Sequence, residues 1–378
     1  MSAALIDLVS KGAQDVFITG SPQVSFFHQN YKRHTNFALK PERLDYVGTF
    51  AAGNEVVVPL RTKGDLLNYI WVEATDIGAG RANTTGFFSS DDTSTTEFSL
   101  WIGGQEVCRL DALFIQGVHN LLYKQDGAKA TCAVTLDEVS DNATGTSITT
   151  ADHYLIPFFF SEDWTKSLPL TALQFHQVEL RIKCRSGTGV SGAFAPASTP
   201  KVYGTYVYLD AEERQMVVEH EHEILITQTQ FQPMSKDDVD VDLTYFNHPS
   251  KAVHVVSSEA DNNQWNTNFT FDRASLYING TTLFEEMSPI YHHNVVPEMH
   301  CTSLPSSTLS TVSTFTWPFC LKLNASQPSG SLNFSRIDNA KLNLAGTGVR
   351  NGSIVRAYTV NYNILKIKDG MAGVAFAN

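Results

Sequence analysis

The chain is organised around residues 202–214, which read VYGTYVYLDAEER. Aromatic and β-branched residues crowd its first half and alternate with smaller ones, a pattern typical of a β-strand. The stretch closes on the acidic run DAEE at 210–213, which has no apolar periodicity. This pattern predicts that one domain ends here and that a charged bridge leads to a second. The flanking segments, about 200 and about 165 residues long, each have the usual size of one domain.

The two flanking segments resemble each other. SLWIGG at 99–104 is echoed by SLYING at 275–280, and LRIK at 180–183 is echoed by LKIK at 365–368. Both matches occur in the same order and at nearly the same spacing. They predict two copies of one fold, because a repeat this long is a whole domain rather than a solenoid unit of about 20–50 residues.

Short apolar, alternating runs separated by polar loops predict an all-β protein. Strands are expected at 54–60, 69–75, 95–102, 154–160, 171–183, 202–209, 219–226, 252–257, 268–278, 313–323, 340–345 and 354–367. A helix is expected over 110–123, where Leu110, Leu113, Phe114, Val118, Leu121 and Leu122 have helical spacing. The count and the size fit two tandem eight-stranded antiparallel jelly rolls with few short helices. The expected domains are an N-terminal arm at 1–24, a first jelly roll at 25–210 and a second at 211–378.

Composition limits the partners that this protein can have. Charged residues make up only 17% of the chain, against a usual share of about 25%. The net charge of −12 disfavours direct contact with nucleic acid, because few cations are present to replace the counterions of phosphate. The five scattered cysteines predict buried, reduced thiols and folding in a reducing compartment.

The sequence shows no secretory signal, and its longest apolar run, LIPFFF at 155–160, is far too short to span a membrane. Residues 3–11 fit a short amphipathic helix, either as a frayed terminus or as an arm that holds a neighbour or a membrane-facing layer. Two apolar strand-like pieces are expected around the turn GSP at 20–22, and the basic triplet KRH at 32–34 is expected to be a solvated edge. Sequons occur at Asn83, Asn142, Asn268, Asn279, Asn324, Asn333 and Asn351.

The sequence contains no convincing catalytic pattern. GTGVSG at 187–192 matches G-x-G-x-x-G, but the prolines that follow prevent the helix that a dinucleotide site requires. His220 and His222 would share a face on a strand and could chelate a metal, yet no further ligand stands at a suitable spacing. The adjacent pair His292–His293 is interpreted as solvated or edge histidines. The pair Glu285–Glu286 is interpreted as part of a solvated turn. We therefore predict no catalytic, cofactor-binding or metal-binding residue.

Several blocks of sequence resemble a known family. They are GAQD at 12–15 through HTNF at 34–37, GDL at 64–66, IGGQ at 102–105, LPLTALQF at 168–175, FNHP at 246–249, QPSGSLNFSRIDNA at 327–340, VNYNIL at 360–365 and GMAG at 370–373. With these blocks the chain resembles the double jelly-roll major capsid proteins of large eukaryotic DNA viruses, of the iridovirus and phycodnavirus type. The chain is shorter than expected for that family, a difference expected in the loops that crown the capsomer.

The resemblance implies a structural protein without enzymatic activity or cofactor. It implies homotrimers that form pseudo-hexameric capsomers, tile an icosahedral shell and assemble in the host cytoplasm. Minor capsid proteins are the implied partners, and the N-terminal arm could reach an internal membrane layer. Two alternatives stay open: a carbohydrate-binding or glycan-active jelly-roll protein, and a minor or vertex capsid protein of the same virus class.

Overall fold

The structure is a computed structural model that describes residues 10–29, 31–60, 63–75, 95–123, 151–186, 199–258, 269–301, 313–348 and 354–376. It divides into two units, Met1–Asn36 and Phe37–Asn378. In the first unit, Val16–Thr19 forms one helical turn, in which the Gly20 N–H donates to the Val16 carbonyl. The strand-like pieces expected around residues 20–22 are therefore wrong, because the backbone there bonds locally to itself. The helix expected at 3–11 lies largely outside the described residues.

The second unit begins with the first set of strands. These are β1 (Phe37–Leu44), β2 (Glu55–Pro59), β3 (Leu66–Thr75), β4 (Glu97–Ile102), β5 (Gln105–Asp111), β6 (Ala151–Ile156), β7 (Leu168–Pro169), β8 (Val178–Lys183) and β9 (Lys201–Leu209). They form one sheet in the order β1-β9-β3-β6, with β7 paired to β3, and another in the order β2-β8-β4-β5. Within the described residues, every pairing between these strands is antiparallel.

The second set of strands follows a helix at Ala211–Glu219. These strands are β10 (His222–Met234), β11 (Asp240–Asp242), β12 (Pro249–Ser258), β13 (Arg273–Ile278), β14 (Thr281–Met287), β15 (Ser313–Pro318), β16 (Leu332–Asn333), β17 (Ala340–Ala345), β18 (Ile354–Lys368) and β19 (Met371–Val374). One sheet has the order β10-β18-β12-β15, with β16 and β19 paired at its margins, and the other has the order β11-β17-β13-β14.

The two sets have the same topology. Once the short strands β7, β16 and β19 are set aside, both pairs of sheets follow the orders 1-8-3-6 and 2-7-4-5 in their own strand count. Two facing four-stranded antiparallel sheets connected in this way make a jelly roll. The chain is a double jelly roll, and the expected all-β fold of two tandem copies is confirmed.

Few helices accompany the strands in the described part of the chain. Besides those already named, they are Ala112–Phe114, which continues as a π-helix at Ile115–Tyr123, the single turns Phe159–Ser161, Trp164–Lys166, Leu170–Ala172 and Phe334–Arg336, and Tyr291–Val295 with Val296–His300. The expected helix at 110–123 is present, although it starts at Ala112, because β5 continues to Asp111. The polar segments at 76–96, 133–152 and 185–200 lie mostly outside the described residues.

One of the two pairs of matching segments occupies equivalent positions in the two jelly rolls. SLWIGG lies on β4 and SLYING on β13, each the fourth strand of its jelly roll, and both strands end in a left-handed turn. The other echo is not equivalent, since LRIK lies on β8 and LKIK on β18, the seventh and eighth strands. Both short segments alternate buried and less buried side chains, so the match reflects strands with one buried face.

The β13–β14 turn gives a test of backbone strain. Gly280 has a φ of +80°, and a Cβ added there would have nothing within 4 Å. Gly280→Ala is expected to lower the free energy of unfolding by about 1–2 kcal/mol, because an L-residue is strained in the left-handed region. Gly373→Ala, whose added Cβ is also unopposed and whose φ lies outside that region, is the control and should be nearly neutral. Equal urea-denaturation midpoints for the two variants would contradict this assignment of strain.

The charged bridge after β9 is a helix rather than a loop. Asp210 caps Ala211–Glu219 by accepting the Ala211 N–H at 2.8 Å, and acidic residues in the first turn suit the positive end of the helix dipole. Arg214 fixes the helix to the first jelly roll, with its Nε 2.8 Å from Oδ1 of Asp65. The second jelly roll therefore starts its first strand at His222, three residues later than the sequence indicates.

Candidate functional site

The sheet β10-β18-β12-β15 is covered on both faces, and this makes it the joint between the jelly rolls. On β12, Val253 and Val255 belong to the core of the second jelly roll, whereas Ala252 and Val256 belong to the core that continues from the first. The helical segment at 112–123 and strand β5 supply the first jelly roll's side of this contact. Because both faces of β12 are buried, apolar side chains on this strand occupy adjacent positions, at Ala252 and Val253 and at Val255 and Val256.

A buried ion pair crosses this joint. Asp111 accepts the Phe114 N–H at 2.7 Å and so caps the helix that covers the sheet. Its carboxylate also accepts hydrogen bonds from Nη1 of Arg356 at 2.6 Å and from the Tyr358 hydroxyl at 2.7 Å, both on β18. Burial raises the pKa of the Asp111 carboxyl, and the adjacent Arg356 guanidinium opposes that shift. The carboxylate therefore joins the end of β5 to the other jelly roll.

Buried histidines satisfy the polar groups along β12 and β15. His254 is fully buried on β12 and lies within hydrogen-bonding distance of the Tyr123 hydroxyl and of Thr316 Oγ1, 2.9 Å in each case. His292 and His293 use Nδ1 to bond the carbonyls of Thr316 and Thr314, at 3.0 and 2.8 Å. Burial lowers the pKa of His254 to about 3 and that of His292 to about 4, and also lowers the pKa of His293. The interpretation of the adjacent pair as solvated or edge residues is therefore wrong.

Lys251 is a further charged group at the joint, and its residue surface is 2% exposed. Its Nζ lies 3.3 Å from the Ala325 carbonyl and 3.5 Å from that of Leu323. The rings of Tyr123 and Tyr362 flank the ammonium, with centroids 5.7 and 5.2 Å away. Burial lowers the pKa of Lys251, while the charge of Glu162 opposes this. The ammonium faces a cavity of about 360 Å³.

His220 and His222 have a structural role that the strand interpretation did not foresee. His220 follows the end of the helix at Ala211–Glu219 and bonds the Met216 carbonyl through Nδ1 at 2.9 Å. His222 bonds the next carbonyl, that of Val217, through Nε2 at 2.7 Å. The Met216 carbonyl also accepts the His220 backbone N–H at 3.1 Å, so the two rings add contacts to two carbonyls of the last helical turn. Among the described residues, no group of three or more potential ligands is arranged to hold a metal ion.

The remaining candidates are dispersed. Glu285 and Glu286 are exposed on strand β14, not in a loop, and the Glu286 N–H donates to Ser275 Oγ. The G-x-G-x-x-G match at 187–192 lies outside the described residues, as do four of the sequons, whereas Asn279 and Asn333 are exposed and Asn324 is half-buried. The triplet at 32–34 is exposed. Cys108, Cys184, Cys301 and Cys320 are buried, and Cys132 lies outside the described residues. No described helix is long and apolar enough to cross a bilayer.

Two family models match the chain, one after the other. Residues 25–210 match the N-terminal part of major capsid proteins, and residues 213–373 match the major capsid protein of large eukaryotic DNA viruses. The chain is 31% identical to a major capsid protein of Pyramimonas orientalis virus and 29% identical to that of Paramecium bursaria Chlorella virus 1, with full coverage of each pair.

Solved structures show the same fold. PBCV-1 VP54, fitted into a reconstruction of the virophage Sputnik, superposes with a TM-score of 0.75 at 24% identity, covering 94% of this chain and 100% of its own. The Faustovirus major capsid protein superposes with a TM-score of 0.65 at 10% identity, covering 95% of both chains. The shared architecture is the double jelly roll.

Proposed function

Because this chain belongs to the major capsid proteins of large eukaryotic DNA viruses, we propose that three copies of it form one pseudo-hexameric capsomer of an icosahedral shell. The observation that carries the proposal is the repeated strand order, 1-8-3-6 with 2-7-4-5, in both halves of one chain. Three such chains around a threefold axis present six similar sandwiches in a closed ring. Such a ring can tile a surface through a small set of repeated contacts.

We propose three regions that follow one another along the chain. We assign residues 1–24 to an arm, residues 25–210 to the first jelly roll and residues 211–378 to the second. The linker helix at Ala211–Glu219, fixed to Asp65 of the first jelly roll by Arg214, supports a boundary at this position. Each jelly roll would supply one of the six sandwiches of the capsomer.

The surface of the larger unit supports contacts with other copies. Several of its large apolar side chains are strongly exposed, among them Phe175 at 75%, Leu321 at 73%, Tyr245 at 69% and Met299 at 67%. Aromatic residues and methionine are enriched in protein interfaces, where burial of such side chains supplies binding free energy. We assign these side chains to contacts within and between capsomers.

The arm is assigned to contacts with minor capsid proteins or with an internal membrane layer. Phe17, Phe26 and Phe27 in its unit are each more than 90% exposed. Such side chains gain free energy when an apolar partner covers them. The net charge of −12 supports a shell that does not bind the genome directly, and the buried thiols support assembly in a reducing host cytoplasm.

The trimer is tested by measuring the mass of the full chain in solution. Size-exclusion chromatography with light scattering is expected to give about three times the 41.7 kDa of one chain. Negative-stain micrographs of the same fraction should show threefold particles with a hexagonal outline. A mass of one chain over a hundredfold concentration range would overturn the trimer and leave the family membership untouched.

Two other main roles, that of a minor or vertex capsid protein and that of a glycan-cleaving enzyme, have less support. A minor or vertex role agrees less well with full-length similarity to major capsid proteins. Glycan cleavage requires two carboxylates that face each other across a sugar, about 5–10 Å apart. The adjacent pair Glu285 and Glu286 is exposed on strand β14 and does not suggest such an arrangement. We therefore assign a structural and not a catalytic role, with neither cofactor nor metal required.

A further inference from the structure

The cavity at the joint has the composition of a ligand site. It has a volume of about 360 Å³, near the lower end of the range for small-molecule pockets. Its lining comes from both jelly rolls and includes Tyr123, Ser161, Trp164, Lys251, Asn324 and Ser326. Hydroxyl, amide and ammonium groups thus converge with aromatic rings on one concave surface.

Lys251 contributes a positive charge that its surroundings compensate only in part. Both carbonyl contacts of its Nζ, at 3.3 and 3.5 Å, are longer than the usual hydrogen bond. In the part of the chain that the structure describes, the ammonium forms no ion pair with a carboxylate, although it is nearly inaccessible to bulk water. Burying a charge without a counter-charge costs free energy, and an anion in the cavity would reduce that cost.

The two carboxylates on the cavity wall already have donors of their own. Glu162 accepts Nζ of Lys166 at 2.7 Å and the Thr227 hydroxyl. Asp163 accepts the Thr165 N–H at 3.0 Å, which with the Ser326 hydroxyl lowers the pKa of this carboxyl. These negative charges would repel a polyanion. The cavity therefore suits a ligand with a single carboxylate, placed at Lys251.

Trp164 gives the cavity wall an apolar face. The residue is 56% exposed, although its indole packs edge-on against Tyr69 with ring centroids 6.4 Å apart. An exposed indole beside polar side chains can cover the C–H face of a ring whose edge carries hydroxyl groups. Ser161, Asn324 and Ser326 supply hydrogen-bonding groups for such hydroxyls.

We propose that this cavity binds an acidic sugar residue, with its carboxylate at the Lys251 ammonium and its ring against Trp164. The residues that line the cavity come from both jelly rolls of one chain. It would give the joint between the jelly rolls a binding activity in addition to its structural role.

The test compares glucuronic acid with glucose as probes of the full chain, using ligand-observed NMR. Glucuronic acid is expected to bind about tenfold more tightly, equivalent to about 1.4 kcal/mol, because its carboxylate accepts a charge-assisted hydrogen bond from Lys251. Lys251→Met should remove the preference. Trp164→Ala, a substitution of an exposed side chain, should weaken both sugars and keep the site testable if the Lys251 variant does not fold.

Phe376→Ala is the matched control, since it removes an exposed aromatic ring that does not line the cavity. It should leave both affinities unchanged. Equal binding of glucuronic acid and glucose, or full affinity in Trp164→Ala, would overturn the proposal. Competition by acetyl-dialanine as effective as that by glucuronic acid would overturn the sugar assignment. Light scattering on the same samples separates these outcomes from a failure to form trimers.

Discussion

Replacing Asp111 with alanine is expected to lower the free energy of unfolding by about 3–5 kcal/mol. The side chain is 2% exposed, and its loss would leave the Arg356 guanidinium, which is 13% exposed, without its carboxylate. It would also remove the acceptor of the Tyr358 hydroxyl and the cap on the Phe114 N–H. Breaking one partner of a buried pair costs more than the pair contributes, because the remaining charge stays desolvated. Thermal unfolding at pH 7.5 measures the effect.

Asp240→Ala is the matched control for this substitution. Asp240 forms an ion pair of similar length with Lys341, at 2.8 Å, but both side chains are 47% exposed. Exposed pairs contribute about 0–1 kcal/mol, so this variant should unfold close to the wild type. Tyr358→Phe should lie between the two, since it removes one hydrogen bond and no charge. Similar losses for Asp111→Ala and Asp240→Ala would contradict the role of the buried pair.

Acidification from pH 7 to pH 5 is expected to destabilise the protein strongly. Burial depresses the pKa of His254 and His292 in the folded state to about 3 and about 4, from 6.5. Their neutral forms therefore contribute full stability above pH 6.5, and this contribution is lost as the pH falls towards the folded values. The loss at pH 5 is about 2 kcal/mol for each of the two histidines. Urea midpoints at intervals of half a pH unit measure the slope.

The pH slope has its own controls. His28 is exposed in the first unit, Met1–Asn36, so His28→Gln should leave the slope between pH 6.5 and pH 5 unchanged. His254→Gln should reduce the slope, whatever it does to stability at pH 7. A flat stability profile over this range would show that the buried rings are not the groups that titrate. Below pH 4.5 the carboxylates also take up protons, and that range is not part of the test.

The repeated fold could be predicted from the sequence because it depends on local patterns. Alternating apolar residues place β4 and β13, and the Gly103–Gly104 and Asn279–Gly280 turns follow them at the same point, with left-handed φ values. The match between LRIK and LKIK was wrong as evidence of equivalence, since any strand with one buried face produces that alternation. Topology, rather than the number of short matches, establishes the duplication.

The joint could not be predicted in the same way, since its contacts join residues far apart in the chain. Asp111 and Arg356 are separated by 245 positions, and neither stands in a recognisable motif. Lys251 had a weak signal, a single lysine directly before Ala252 and Val253 of β12. The linker helix was missed because none of its residues is buried, so no apolar periodicity marks it in the sequence. It is stabilised by the cap at Asp210 and by the ion pair of Arg214 with Asp65.

The doubly covered sheet has a mechanical consequence for a closed shell. Since β12 and β18 contribute side chains to two cores at once, one jelly roll cannot pivot against the other without opening both. Each subunit should therefore behave as a rigid body under mechanical load. In a shell built from the proposed capsomers, curvature would then arise between neighbouring capsomers, through small changes in their tilt, and not by bending inside a subunit.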